Sequence, residues 1–233
     1  MIAANLAEFF LQLRESRAES SGKLDSFFRL FESEFRQARI VRAANTPHLD
    51  VLRIFGLEFA ELRHSDALAW FLRLRAEHEQ GPLFINALLN LFKPGLKSSD
   101  RYTVHRERHD RTDVSVYAPS KFAVFVENKV RHSERERQVS DMVQSLVQVG
   151  TLFSIPREYR FALFLTENGA KPVTGPTEDS ADFCVSNLMS LSRVELFEHF
   201  RRELGAQPVH SPLLLSFLDS YLNAIRRIRA QLS

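Results

Sequence analysis

The chain has 233 residues, of which 44% are hydrophobic and 26% charged, a balance that excludes a disordered or fibrous protein. Its formal net charge of +2 excludes a global polycation, so any nucleic-acid surface must be made by sorting charge onto one side. A single cysteine, Cys184, excludes a disulfide framework and a multi-cysteine zinc site, and its setting in "DFCVS" predicts a buried core thiol.

In chain order, "MIAANLAEFFLQLRESR" has an acid inside its apolar stretch and no basic leader, so it does not read as a secretory signal. No apolar run approaches membrane-spanning length, and the expectation is a soluble, cytoplasmic protein with no membrane partner. Phe27, Phe28, Leu30, Phe31 and Phe35 fall at helical spacing and predict a helical extension over residues 1–45. This Phe-rich face is either an intramolecular core or a contact surface for a homodimer or partner protein. Residues 46–233 read as one continuous globular domain, since no linker divides the pattern. Helices are predicted in "GLEFAELRHSDALAWFLRLRAEH" and "GPLFINALLNLF", the second ended by "KPG". The period then shortens: "RYTVHRERH", "TDVSVYA" and "KFAVFVENKV" predict strands, the last two joined by the turn "PSK". Residues 133–149 return to helix, with Val139, Met142, Val143 and Leu146 as the apolar stripe. "YRFALFLTEN" predicts a strand covered on both faces, and "DFCVSN" one more. Two helices, "SRVELFEHFRREL" and "SPLLLSFLDSYLNAIRRIRAQL", close the chain. A strand–helix–strand crossover after a hairpin implies an α/β fold with a mixed sheet of about four to five strands and helices on both faces.

One constellation carries chemistry. Glu127 and Lys129 share a strand face at the end of the most apolar strand. If "TDVSVYA" and "KFAVFVENKV" form a hairpin, Asp113 falls opposite or diagonal to Glu127. Two close carboxylates repel each other, and a divalent cation relieves this. Hard oxygen donors suit magnesium, and the lysine can position an attacking water beside a phosphate. On a helix, Glu61, His64 or Ser65, Leu68 and Leu72 share a face. Glu61 there is either part of a metal shell or a structural partner for a basic group, and His64 reads as a supporting or capping residue. Arg106, Arg108, Arg111, Arg131 and Arg135 could meet phosphates, Arg131 foremost, or could make exposed pairs with their acidic neighbours.

These residues resemble a family. "TDVSVYA…FAVFVENKV" is similar to the core of the PD-(D/E)xK nuclease superfamily, with Asp113, Glu127 and Lys129 at its signature positions. "ELRHSDALAWFL" resembles the E-x-x-H-S helical block of one bacterial branch, and "EQGPLFINALLNLF" the turn and apolar helix that follow it. The resemblance covers roughly residues 55–165. It implies a restriction-endonuclease-like sandwich and a magnesium-dependent nuclease, with manganese as a substitute and DNA ahead of RNA as substrate. It implies Asp113, Glu127, Asn128 and Glu61 around the metal, Lys129 on the attacking water, and Gln138 either toward the site and nucleic acid or on a solvated helix face. The local charge pattern, not the resemblance, adds Arg131, Arg111 and Arg135 as nucleic-acid contacts. Met142 stands where the family often has an aromatic or basic residue, and Thr112 where a proline precedes the first Asp. The rival class is a nuclease-fold binding module, without turnover of its own or activated by a partner. Superfamily members serve in restriction and bacterial defence, among other roles.

Overall fold

The computed structural model describes residues 53, 56–98, 101–108, 112–130, 137–208 and 211–232. The helical extension over residues 1–45, its Phe-rich contact surface, Arg111, Arg131 and Arg135, and the side chain of Arg108 lie outside the described residues.

A mixed sheet of five strands runs in chain order from one edge to the other. β1 (Thr103–Arg108), β2 (Thr112–Ala118) and β3 (Phe122–Asn128) form an antiparallel meander. β4 (Arg160–Thr166) and β5 (Leu188–Ser192) then pair parallel to β3 and to each other. The β2–β3 hairpin turns through Pro119, Ser120 and Lys121, with Ser120 taking the left-handed position at φ 58°. Every residue of β3 and β4 is buried, as the near-continuous apolar runs anticipate for strands covered on both faces.

Helices α1 (Glu61–Leu72), α2 (Leu83–Phe92), α4 (Arg193–Gly205) and α5 (Pro212–Leu232) belong to the core built on one face of the sheet. There Val114, Val116, Val124, Val126, Leu163 and Leu165 meet Leu68, Phe84, Phe197 and Leu222. α3 (Gln138–Leu152) covers the other face, where Val139, Met142 and Leu146 pack on Ala123, Phe125, Ala162 and Phe164. Period-two alternation along β2 to β4 therefore sends successive side chains into two separate cores. The strand and helix order implies this mixed sheet with helices on both faces, and the α/β sandwich is consistent with the restriction-endonuclease-like fold that the resemblance implies.

Three local expectations are corrected. The first helix stops at Leu72 instead of running on toward His78. Its last carbonyls are taken by side chains: His78 Nε2 donates to Phe71 O at 3.1 Å and Tyr102 Oη to Leu72 O at 2.9 Å, which completes a C-terminus without a further turn. The last strand is "LMSLS", not "DFCVSN". Val185–Asn187 forms a single 3-10 turn, held by Val185 N–H donating to Asp179 Oδ1 at 2.8 Å and Asn187 Nδ2 to Arg160 O at 3.1 Å. Cys184 is half-buried; its neighbour Phe183 occupies the core instead. Among the described residues no helix is long and apolar enough to cross a membrane.

Candidate active site at the ends of the central strands

The register of the β2–β3 hairpin pairs Val114 with Val126, so one step further Asp113 lies across from Glu127. Both side chains leave the sheet on the α3 face, in step with Ser115 and Phe125. Their carboxyl groups therefore face one another, near enough for the charge of Asp113 to act on Glu127. Asp113 Oδ2 also accepts the Asn128 N–H at 2.8 Å, which fixes the carboxylate against the end of β3.

Lys129 is the first residue beyond β3, and its ammonium sits between two acids. Nζ lies 2.9 Å from Glu127 Oε1 and 3.2 Å from Glu61 Oε1. Glu61 begins α1, where a carboxylate also suits the helix dipole, and its second oxygen accepts the Val130 N–H at 3.2 Å. α1 is tied to the strands twice more. Asn128 Nδ2 donates to Ser65 Oγ at 2.9 Å, and Arg106 Nε donates to Asp66 Oδ1 at 2.9 Å while Nη1 donates to Asp113 O. On the opposite side Gln138, at the start of α3, donates from Nε2 to Glu127 Oε1. Glu61, Asp113, Glu127, Lys129 and Gln138 thus converge, although 77 positions separate the first from the last. Met142 does not join them; it is core.

Asn128 points elsewhere. Strand alternation turns its side chain to the α1 layer, away from the carboxylates. Its N–H faces Asp113, whereas the neighbouring Lys129 N–H bonds Leu165 O at 2.7 Å on the other flank. His64 is likewise a structural group. Burial, reinforced by the Arg193 charge, pushes its pKa down to about 4, so the ring is neutral near pH 7. A carbonyl only accepts, so Nε2 carries the proton to Glu58 O at 2.9 Å, and Nδ1 accepts from Tyr221 Oη at 2.7 Å.

The electrostatics are those of an acid-rich pocket. Burial raises the pKa of Asp113. Burial and the facing Asp113 carboxylate raise that of Glu127 to about 8. Burial works against the Lys129 ammonium, but the charges of Glu127 and Glu61 and their hydrogen bonds outweigh it and hold that pKa above the ordinary value. Three acids face one base, so the fully ionised cluster carries two uncompensated negative charges. Among the described residues no group of three or more His, Cys, Asp or Glu side chains converges as ligands on one point. The Asp113–Glu127 pair nevertheless fits a hard divalent cation that keeps most of its own waters: it offers only oxygen, and its burial and mutual repulsion leave it short of positive charge.

A family model for the PD-(D/E)XK nuclease superfamily matches residues 49–227, from ahead of α1 into α5. The chain belongs to that superfamily. No curated protein and no solved structure matches it. Membership makes nuclease-type hydrolysis its chemistry and nucleic acid its substrate, and superfamily members generally use divalent metals. The matched residues include the carboxylate pair and ammonium just described.

Sequence reasoning missed what stands behind Lys129. Arg193 and Glu167 are both buried, and Arg193 Nη2 donates to Glu167 Oε1 and to Lys129 O. A signal existed: Arg193 opens α4, where a cation opposes the helix dipole and calls for another reason to be there. The tie from Arg106 to the Asp113 carbonyl is also new, since the sequence left Arg106 open between a phosphate contact and an exposed acidic pair.

Proposed function

We propose that this protein is a metal-dependent nuclease that hydrolyses phosphodiester bonds, with DNA as the first candidate substrate. The observation that carries the proposal is the pairing of Asp113 with Glu127 across the hairpin, with Lys129 Nζ 2.9 Å from Glu127. Asp113 and Glu127 would hold magnesium, or manganese in its place, and Asn128 would contribute through its main-chain carbonyl, because its side chain faces Ser65. The cation, when bound, supplies Lewis-acid polarisation of the phosphate and lowers the pKa of bound water.

The remaining roles belong to the chain's own groups. Lys129 keeps its proton, so it acts as an ammonium that positions the attacking water and meets the charge developing on the phosphate, not as a base. Glu61 holds Lys129 and the Val130 N–H in place from α1. Gln138 orients Glu127 from α3 and, with Arg131, Arg111 and Arg135, is proposed to face the nucleic-acid backbone. The protein would act in the cytoplasm, in a role such as defence against foreign DNA.

The test is incubation of purified protein with supercoiled plasmid, linear duplex, single-stranded DNA and RNA, each with magnesium, manganese or EDTA. Metal-dependent cutting that disappears in Lys129→Ala supports the reading. Cutting by Lys129→Ala at the wild-type rate would overturn the assignment of the site. Nucleic-acid binding with no cutting of any substrate would leave the binding-module reading in its place.

A further inference from the structure

We infer that Arg193 is a positioning residue for Lys129, holding the main chain of that lysine through its carbonyl oxygen; the inference rests on the site proposed above. Lys129 lies one residue past the last residue of β3, where only the final rung of the β3–β4 ladder still restrains the chain. One further bond supplements that rung. The Lys129 N–H donates to Leu165 O at 2.7 Å, and the Lys129 carbonyl accepts from Arg193 Nη2 at 2.6 Å. With the ammonium pinned by Glu61 and Glu127, every polar group of Lys129 has a fixed partner.

The geometry indicates that Arg193 serves more than its own ion pair. A buried ion pair gains its partners at a large desolvation cost, and two apolar residues of similar volume commonly replace one without loss of stability. Here the cost is visible: Arg193 is fully buried, and among the described residues its Nε and Nη1 have no hydrogen-bond partner, nor does Glu167 Oε2. Stability alone is a poor reason for such an arrangement. What it does accomplish is to join α4 and the end of β4 to the carbonyl of the residue that carries the ammonium. Holding that ammonium to a fraction of an ångström matters, since misplacement by about 1 Å costs on the order of 100-fold in rate.

The decisive variant is Arg193→Met combined with Glu167→Met, which removes both charges together and leaves no buried ion uncompensated. Amide hydrogen exchange reads the tether without any need for activity. The Lys129 and Val130 amides are expected to exchange at least tenfold faster, while those of Val124 and Val126 in the middle of β3 keep their protection. Plasmid cleavage in magnesium is expected to show kcat lowered tenfold or more with KM within threefold of wild type. Added to Lys129→Ala, the double change should lower the residual rate no further. If the double variant does not fold, Arg193→Lys keeps a cation for Glu167 and is read in the same two ways. Unchanged exchange at Lys129 together with wild-type kcat would overturn the inference, because a purely structural role predicts that restored folding restores activity. Wild-type cleavage by Lys129→Ala alone would instead overturn the site, whatever the exchange result.

Discussion

At the scale of single residues, the site pairs chemistry with a stability cost. Glu127 ordinarily titrates near 4.5, and burial beside Asp113 moves it to about 8 in the folded protein. Between those values the folded state keeps a proton that the unfolded chain gives up, so this group's contribution to stability falls as pH rises from about 4.5 to 8 and is level outside that window. Metal-free thermal melts across that range should show the decline. Magnesium should raise Tm more at pH 8 than at pH 5, because it takes the place of the proton. A rise in stability over that window would mean that burial and the facing Asp113 do not hold a proton on Glu127. Glu127→Gln should stabilise the metal-free protein at pH 8, by on the order of 1–3 kcal/mol, and abolish cleavage. Asp113→Asn should likewise abolish cleavage and weaken magnesium binding in a calorimetric titration, with the fold retained. Lys129→Ala differs from both: it leaves Glu61 and Glu127 without their shared cation, so a loss of about 1–3 kcal/mol in metal-free urea melts should accompany the loss of activity.

At the scale of elements, the helices matter by where they begin. α4 starts with a capping box: Ser192 Oγ accepts from the Glu195 N–H at 3.2 Å, and Glu195 Oε2 accepts the Ser192 N–H at 2.7 Å. That box sets the entry of the helix at the residue before Arg193. Ser192→Ala should cost about 1 kcal/mol by chemical denaturation. α3 depends on a close approach instead. A methyl group at Gly150 would overlap the Arg160 side chain, whose Nε donates to Ile155 O at 3.0 Å and Nη1 to Asp182 O at 3.0 Å. Gly150→Ala should therefore destabilise by about 1–3 kcal/mol, and a melt unchanged by that substitution would mean Arg160 has room to move. The strands carry a different lesson. β3 and β4 were legible because both faces are buried, and so was the β2–β3 hairpin with its Pro119-Ser120-Lys121 turn. β5 was misplaced because an edge strand with half-exposed residues has neither a continuous apolar run nor clean alternation. The aromatic and β-branched residues of "DFCVSN" imitated the missing signal.

At the scale of the whole molecule, the sheet separates its two cores and leaves the ends of β2, β3 and β4 as the place where both helical layers meet. α1 delivers Glu61 from one side and α3 delivers Gln138 from the other. No single element holds the site, which explains why so many of its restraints are single hydrogen bonds between layers. If local arginines grip the nucleic acid as proposed, a chain whose net charge is only +2 should bind it with a modest salt slope. Plotting log affinity for duplex DNA against log salt should give a slope that shrinks by about one in Arg131→Ala if that residue meets a phosphate. An unchanged slope would remove Arg131 from the interface.

Taken alone, the sequence determined the α/β class, the hairpin, the buried central strands and the identity of the Asp113, Glu127 and Lys129 constellation. Those follow from periodicity and from spacing along one hairpin, which are local properties of the chain. Tertiary structure decided whatever depended on distant segments meeting. Glu61 pairs with Lys129 across 68 positions, Arg106 holds the Asp113 carbonyl, and Arg193 and Glu167 stand behind the strand end. A charged residue reads as solvated until its partner is known, and only packing shows which buried cation has an acid and a carbonyl waiting for it.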